Sequence, residues 1–213
     1  MNFNVCETTD KIIEDIKKYY QDNNAYGAII GISGGKDSAV VASLMVKALG
    51  KQRVIGVWMP CYSREKDYQD ALEVANSLEI KLLEHHLENT YDDIIFCVKS
   101  NLSKIDDIFF DNANINLKPR LRSNILYYYA SYYTSKERKL YLVCGTSNKS
   151  ELYVGYFTKG GDNVCDIAPI KHLYVDEVIA LGDYLGMVPE RIIHKVPDDG
   201  LSNLSDEEKL GFS

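Results

Sequence analysis

Residues 28–46 constrain the fold more tightly than any other stretch of the chain. Ala28-Ile29-Ile30-Gly31-Ile32 reads as a buried strand, Ser33-Gly34-Gly35-Lys36-Asp37-Ser38 as a glycine-rich turn, and Ala39 to Val46 as an apolar helix. Strand, turn and helix N-terminus together make an anion site, because exposed backbone N–H groups and the positive end of the helix dipole converge there. A phosphate or pyrophosphate is the preferred occupant. Asp37, placed beside that anion, implies a bridging metal ion.

Two better-known phosphate motifs are excluded. A Walker A loop needs four residues between its first glycine and Gly-Lys-Ser/Thr. Here only three residues lie between Gly31 and Gly35-Lys36, and Asp37 follows the lysine. The G-x-G-x-x-G dinucleotide fingerprint is also missing. A plain Ser/Gly turn capping a helix would explain a lone Gly-Gly. The strand before it, the helix after it and an aspartate at this offset favour the phosphate site.

The rest of the chain alternates strand and helix. A helix capped by Thr9 or Asp10 carries Ile12, Ile13, Ile16, Tyr19 and Tyr20. A helix over 38–49 stops at Gly50, and Arg53–Met59 forms a second buried strand closed by Pro60. Asp67–Leu78 reads as an amphipathic helix, Lys81–Leu87 as a strand and Tyr91–Val98 as a helix. The pattern predicts an α/β fold with a doubly wound, mainly parallel sheet flanked by helices. In such sheets ligands bind beyond the carboxyl ends of the strands, where residues 33–38 fall. The Asp- and Asn-rich stretch 106–116 reads as a loop. Beyond Pro119 a helix bears Leu121, Ile125, Leu126, Tyr128, Tyr129, Tyr132 and Tyr133, apolar on more than one face. Either core packing or a second subunit accounts for that. Leu140–Cys144 is the fourth strand, Tyr156–Val164 a mobile loop, and Val175–Leu185 a helix ended by Gly186, with a short helix begun at Pro189.

Composition narrows the setting. A length of 213 residues fits one domain spanning 1–213, and a net charge of −7 with no long basic run argues against a nucleic-acid surface. Cys6, Cys61, Cys97, Cys144 and Cys165 form no C-x-x-C pair, as suits reduced thiols. No apolar run is long enough to span a bilayer, and the N-terminus has no secretory pattern, so a cytoplasmic protein is expected.

A second cluster makes the reading specific. Residues 145–162, Gly-Thr-Ser-Asn-Lys-Ser-Glu-Leu-Tyr-Val-Gly-Tyr-Phe-Thr-Lys-Gly-Gly-Asp, again follow the carboxyl end of a strand. They resemble the G-T-x-N-K-S-E…G-Y-x-T-K-x-G-D pattern of ammonia-dependent NAD synthetases. Ser33–Ser38 resembles the S-G-G-x-D-S loop shared by ATP pyrophosphatases, and Asp166-Ile167-Ala168-Pro169 is similar to the same family downstream. The resemblance runs from about residue 26 to the end. It implies the adenine nucleotide alpha-hydrolase-like fold. Gly31, Ile32, Ser33, Gly34, Gly35, Lys36, Asp37, Ser38 and Thr146 are then expected to bind ATP, Asp37 and Glu151 to hold Mg2+, and Arg120, Lys159 and Asp166 to contact deamido-NAD. Lys36 either adds positive charge beside departing pyrophosphate or points into solvent.

The implied reaction follows from a poor electrophile. Ammonia attacking a nicotinate carboxylate would have to expel oxide, so the family first moves AMP from ATP onto that carboxylate. Ammonia then displaces AMP to leave the amide, with pyrophosphate released in the first step. Free ammonia or a separate donor protein is the expected nitrogen source, and a homodimer the expected assembly. Three features depart from the pattern. Val175 stands where a lysine is usual, with Lys171 a possible substitute. Asp198 stands where Ser or Thr is usual. The sequence stops at Ser213, short of a His-Lys pair. A nucleotide-binding protein with weakened catalysis, and after it a tRNA-modifying ATP pyrophosphatase, are the alternatives.

Overall fold

Four parallel strands carry the framework: β1 (Ala25–Gly31), β2 (Val54–Trp58), β3 (Lys81–Glu84) and β4 (Leu140–Cys144). Their order in the sheet is β3-β2-β1-β4, with Ala28 opposite Val54 and Ile29 opposite Val143. The structure is a computed structural model that describes residues 3–102 and 107–195; the side chains of 107–112 lie outside that description. Asp198 and the C-terminal residues expected to depart from the family pattern therefore fall outside the described residues.

The run of apolar residues in β1 and β2 is what a strand covered on both faces requires. Alternate residues serve opposite layers. Ala28, Ile30 and Ile32 enter a core with α1 (Val5–Asp22), α2 (Lys36–Leu49), α3 (Glu65–Ser77), α7 (Val175–Leu185) and α8 (Glu190–Ile193). Ile29, Ile55, Val57 and Val143 face a second core with α4 (Glu88–Asn101) and α5 (Asp107–Glu137). Helices on both faces of a parallel sheet match the doubly wound expectation.

Two expectations are corrected. The first helix begins a turn earlier than Thr9 or Asp10 suggested. Asn4 caps it by accepting from the Glu7 N–H at 3.3 Å, while the Thr9 hydroxyl donates inward to the Val5 carbonyl at 2.7 Å. More consequential is α5, which occupies 107–137 where a loop was expected up to Asn116. Asp and Asn weaken a helix only by tenths of a kcal/mol to about 0.7 kcal/mol each. Packing of α5 on β1, β4 and α4 outweighs that local preference. Pro119 sits inside the helix, since its fixed φ is helical and it removes a single intrahelical bond.

The sheet order has a topological consequence. From β1 the chain winds outward through β2 to β3, then returns to lay β4 on the other side of β1. The carboxyl ends of β1 and β4 thus flank a switch point, where open α/β sheets form their ligand crevice. Among the described residues no helix is long and apolar enough to cross a membrane, and all five cysteines are free.

Candidate active site

A cleft of about 360 Å³ opens at this switch point, lined by the loop after β1, the segment after β4 and one side of α5. The first wall is the turn 33–38. Gly34 has φ +78, and a Cβ there would lie 2.6 Å from the Asp67 carbonyl and 2.9 Å from the Asp70 Cβ. Only glycine lets the backbone press onto α3 in this conformation. The two serines shape the turn from within. Ser38 Oγ donates to the Gly35 carbonyl at 2.9 Å and accepts from the Ser33 N–H at 3.3 Å, and Ser33 Oγ accepts from the Gly35 N–H at 3.2 Å. Gly35, the residue before α2, makes no side-chain cap, which leaves the first-turn amides of α2 for an anion.

The second wall follows β4. Asn148 caps the short α6 (Lys149–Val154) in a capping box: its Oδ1 accepts from the Glu151 N–H at 3.0 Å, and Glu151 Oε2 accepts from the Asn148 N–H at 3.1 Å. The same Asn148 side chain donates from Nδ2 to Asp37 Oδ1 at 3.1 Å. One residue therefore holds both carboxylates on the cleft wall, Glu151 through its backbone N–H and Asp37 through its side-chain amide. Thr146 and Ser147 line the cleft beside them. The Asn-x-x-Glu spacing announced this cap in the sequence, yet its tie to Asp37 crosses from β4 to β1 and had no local signal.

Electrostatics single out the same pair. Burial raises the Asp37 carboxyl, opposed by Lys36 and the Asn148 amide, and burial followed by the Asp37 charge pushes Glu151 up to about 8. Lys36 is only 6% exposed and its Nζ lies 3.7 Å from Asp37 Oδ2. Its side chain lines the cleft, which answers the alternative that it points into solvent.

The residues expected to meet the second substrate are arranged differently. Arg120 Nε donates to the Lys159 carbonyl at 3.1 Å, and both residues are exposed beside the cleft rather than lining it. Asp166 accepts from the Val143 N–H at 2.8 Å and from the Tyr127 hydroxyl at 3.3 Å, joining the end of β4 to α5. Val175 begins α7, with its N–H donated to Ser150 Oγ at 3.2 Å, and Lys171 is exposed. The loop 156–164 is closed by Thr158 N–H to Asp162 Oδ1 at 2.7 Å and Gly160 N–H to Asn163 Oδ1 at 2.9 Å. Gly161 presses it onto α5, where an added Cβ would meet the Pro119 Cβ at 2.9 Å. Arg122, two residues beyond Arg120, does line the cleft, with Nε donating to the Met59 carbonyl at 3.1 Å.

Comparison with known proteins adds the decisive observation: the family model described as NAD synthase matches residues 8–213. The chain belongs to the NAD synthase family. An NH(3)-dependent NAD(+) synthetase of Carboxydothermus hydrogenoformans is 39% identical, over 100% of this chain and 84% of that protein. One from Methanocaldococcus jannaschii is 43% identical over 96% and 75% respectively. Among solved structures, an NMN synthetase from Francisella tularensis superposes with a TM-score of 0.86 at 33% identity, covering 100% of this chain and 83% of that one. Within this NAD synthase fold the cleft joins the turn 33–38 to the wall that carries Glu151.

Proposed function

We propose that the chain uses ATP to amidate deamido-NAD with ammonia, giving NAD, AMP and pyrophosphate. Family membership supports the overall reaction. The observation that carries the site reading is the Asn148–Asp37 hydrogen bond, which holds a phosphate loop and a second carboxylate-bearing wall at one switch point. The carboxylate of the nicotinate attacks the α-phosphorus of ATP and pyrophosphate leaves toward residues 33–38. The first-turn amides of α2 and the Lys36 ammonium stabilise the charge that collects there. Ammonia then attacks the activated acyl carbon and AMP departs. Thr146 and the loop residues Gly31 to Ser38 bind ATP in this reading.

Asp37 and Glu151 suit Mg2+. They are two carboxylates of like charge, both held above their ordinary range, and a divalent cation relieves that repulsion. Mg2+ accepts one or two carboxylates when phosphate oxygens complete its shell. It would supply charge neutralisation on the phosphates. Arg120, Lys159 and Asp166 remain our assignment for the dinucleotide, with Arg122 added on the cleft side. A cytoplasmic homodimer is proposed for the assembly; exposed Tyr128 and Tyr132 on α5 support it.

The similarity to an NMN synthetase favours a second reading, in which nicotinate mononucleotide is the acceptor. Both acceptors carry the same carboxylate, so the cleft chemistry is common to them. Incubation with ATP, Mg2+ and ammonium, with either acceptor, separates the readings by which amide accumulates. Formation of neither product by folded protein would remove both. Asp37→Ala is expected to abolish pyrophosphate release while the circular dichroism spectrum stays native; substantial turnover would sink the metal assignment.

A further inference from the structure

A charged cluster beside the phosphate loop, with Lys195 and Asp67 on the cleft wall, is given no role by the reaction above. Lys195 follows α8, and its Nζ donates to Asp67 Oδ1 at 2.8 Å and Asp70 Oδ2 at 2.7 Å, with the Gly34 carbonyl at 3.5 Å. An ammonium has three hydrogens, and these acceptors match them in number, the Gly34 carbonyl being the most distant. The side chains are 18%, 9% and 2% exposed for Lys195, Asp67 and Asp70. Burial works to raise both aspartates, yet hydrogen bonds from Arg64 and Lys195 hold Asp67 below its usual range, and those from Arg191 and Lys195 do the same for Asp70.

Geometry at Gly34 gives the cluster a purpose. The peptide joining Gly34 to Gly35 is trans, so its C=O and N–H point in opposite directions. A peptide between two glycines can flip, because neither residue is held to one sign of φ. A cation drawing the Gly34 carbonyl toward α3 decides which way the Gly35 amide faces. In the structure that amide turns into the loop, toward Ser33 Oγ. Asp67 also lines the cleft, and without a counter-charge it would repel a phosphate.

We propose that Lys195 is a positioning residue for the phosphate loop: it holds the Gly34 carbonyl on the α3 side, in the peptide orientation whose amide closes the turn on Ser33 Oγ, and it cancels the charge of Asp67 at the cleft wall. The inference rests on the reading of residues 33–38 as the ATP phosphate loop. Removing Lys195 leaves each aspartate an arginine partner, Arg64 for Asp67 and Arg191 for Asp70, so the fold has no orphaned buried charge.

The test is calorimetric titration of magnesium pyrophosphate, and separately of deamido-NAD, into the wild type, Lys195→Met, Lys195→Arg and the double variant Lys195→Met/Asp67→Asn. Loss of one charge-assisted brace is expected to weaken pyrophosphate binding about tenfold or more in Lys195→Met. Affinity for deamido-NAD is expected to stay within about twofold. Lys195→Arg should restore most of the pyrophosphate affinity, and the double variant part of it, since the uncompensated acid is gone. Wild-type pyrophosphate affinity in Lys195→Met overturns the proposal. So does an equal loss for both ligands with no rescue by arginine, which is what general loosening would give. If the wild type itself binds no pyrophosphate, the nucleotide-site reading falls and this inference with it.

Discussion

At Lys36 an ammonium with 6% exposure sits 3.7 Å from the Asp37 carboxylate, in a wall that also holds Glu151. Methionine keeps the length of that side chain without its charge. Lys36→Met is expected to raise the KM for ATP about tenfold, the scale of one lost charged contact, with the KM of the acceptor unchanged. Glu151 gives a pH test. Its carboxyl moves from 4.5 in an ordinary setting to about 8 in the fold, so between those values the native state holds a proton that the unfolded chain has lost. Stability of the ligand-free protein is then expected to fall as pH rises through that window, with the proton-linked penalty complete above it. Urea titrations at several pH values measure the slope, and Glu151→Gln should flatten it. An unchanged slope in that variant would place the titrating group elsewhere. At this scale the motifs singled out Asp37 and Glu151, which the fold brings to one cleft, but passed over Asn148 and Lys195. Their contacts span 111 and more than 120 residues, and no periodicity reports such pairings.

Elements were legible where burial and local preference agree. The run 28–32 and the helix after it satisfy both, and the observed β1 and α2 lie within a few residues of the reading. Helix α5 is where they disagree. Its first third is rich in Asp and Asn, which locally favour turns, and Pro119 normally marks a boundary, yet the helix passes through both. Proline there withholds an N–H from the carbonyl of Ile115 and crowds it. Pro119→Ala is expected to stabilise the protein by about 1 to 2 kcal/mol, the helix gain less the unfolded-state entropy that proline removes. Thermal melting measures this. A lower Tm would mean that the ring is needed where Gly161 packs on it.

For the molecule as a whole, alternation of strand and helix was enough to predict a parallel sheet, but not which side of β1 would receive β4. That choice is made by packing: Ile29 and Val143 meet in one register and share a core with Tyr133 and Leu121 from α5. The proposed dimer belongs to this scale as well. Light scattering is expected to give twice the 24.1 kDa chain mass, and charge placed at exposed Tyr128 and Tyr132 to halve it. A wild-type monomer at micromolar concentration would remove that reading.

The bond between Asn148 and Asp37 closes a loop of more than one hundred residues, and β4 must dock before it can form. Sheets that depend on such distant pairings fold slowly, because the entropy of closing the chain precedes the contacts that offset it. The phosphate cradle is local in sequence and can take shape early, whereas its partner wall arrives with the last strand. A nucleotide that needs both walls recognises only chains whose winding is finished. Binding then adds RT ln(1 + [L]/Kd) to the native state and nothing to its precursors. On the proposed site, a nucleotide bound across both walls is therefore expected to stabilise completed molecules and not those still one strand short.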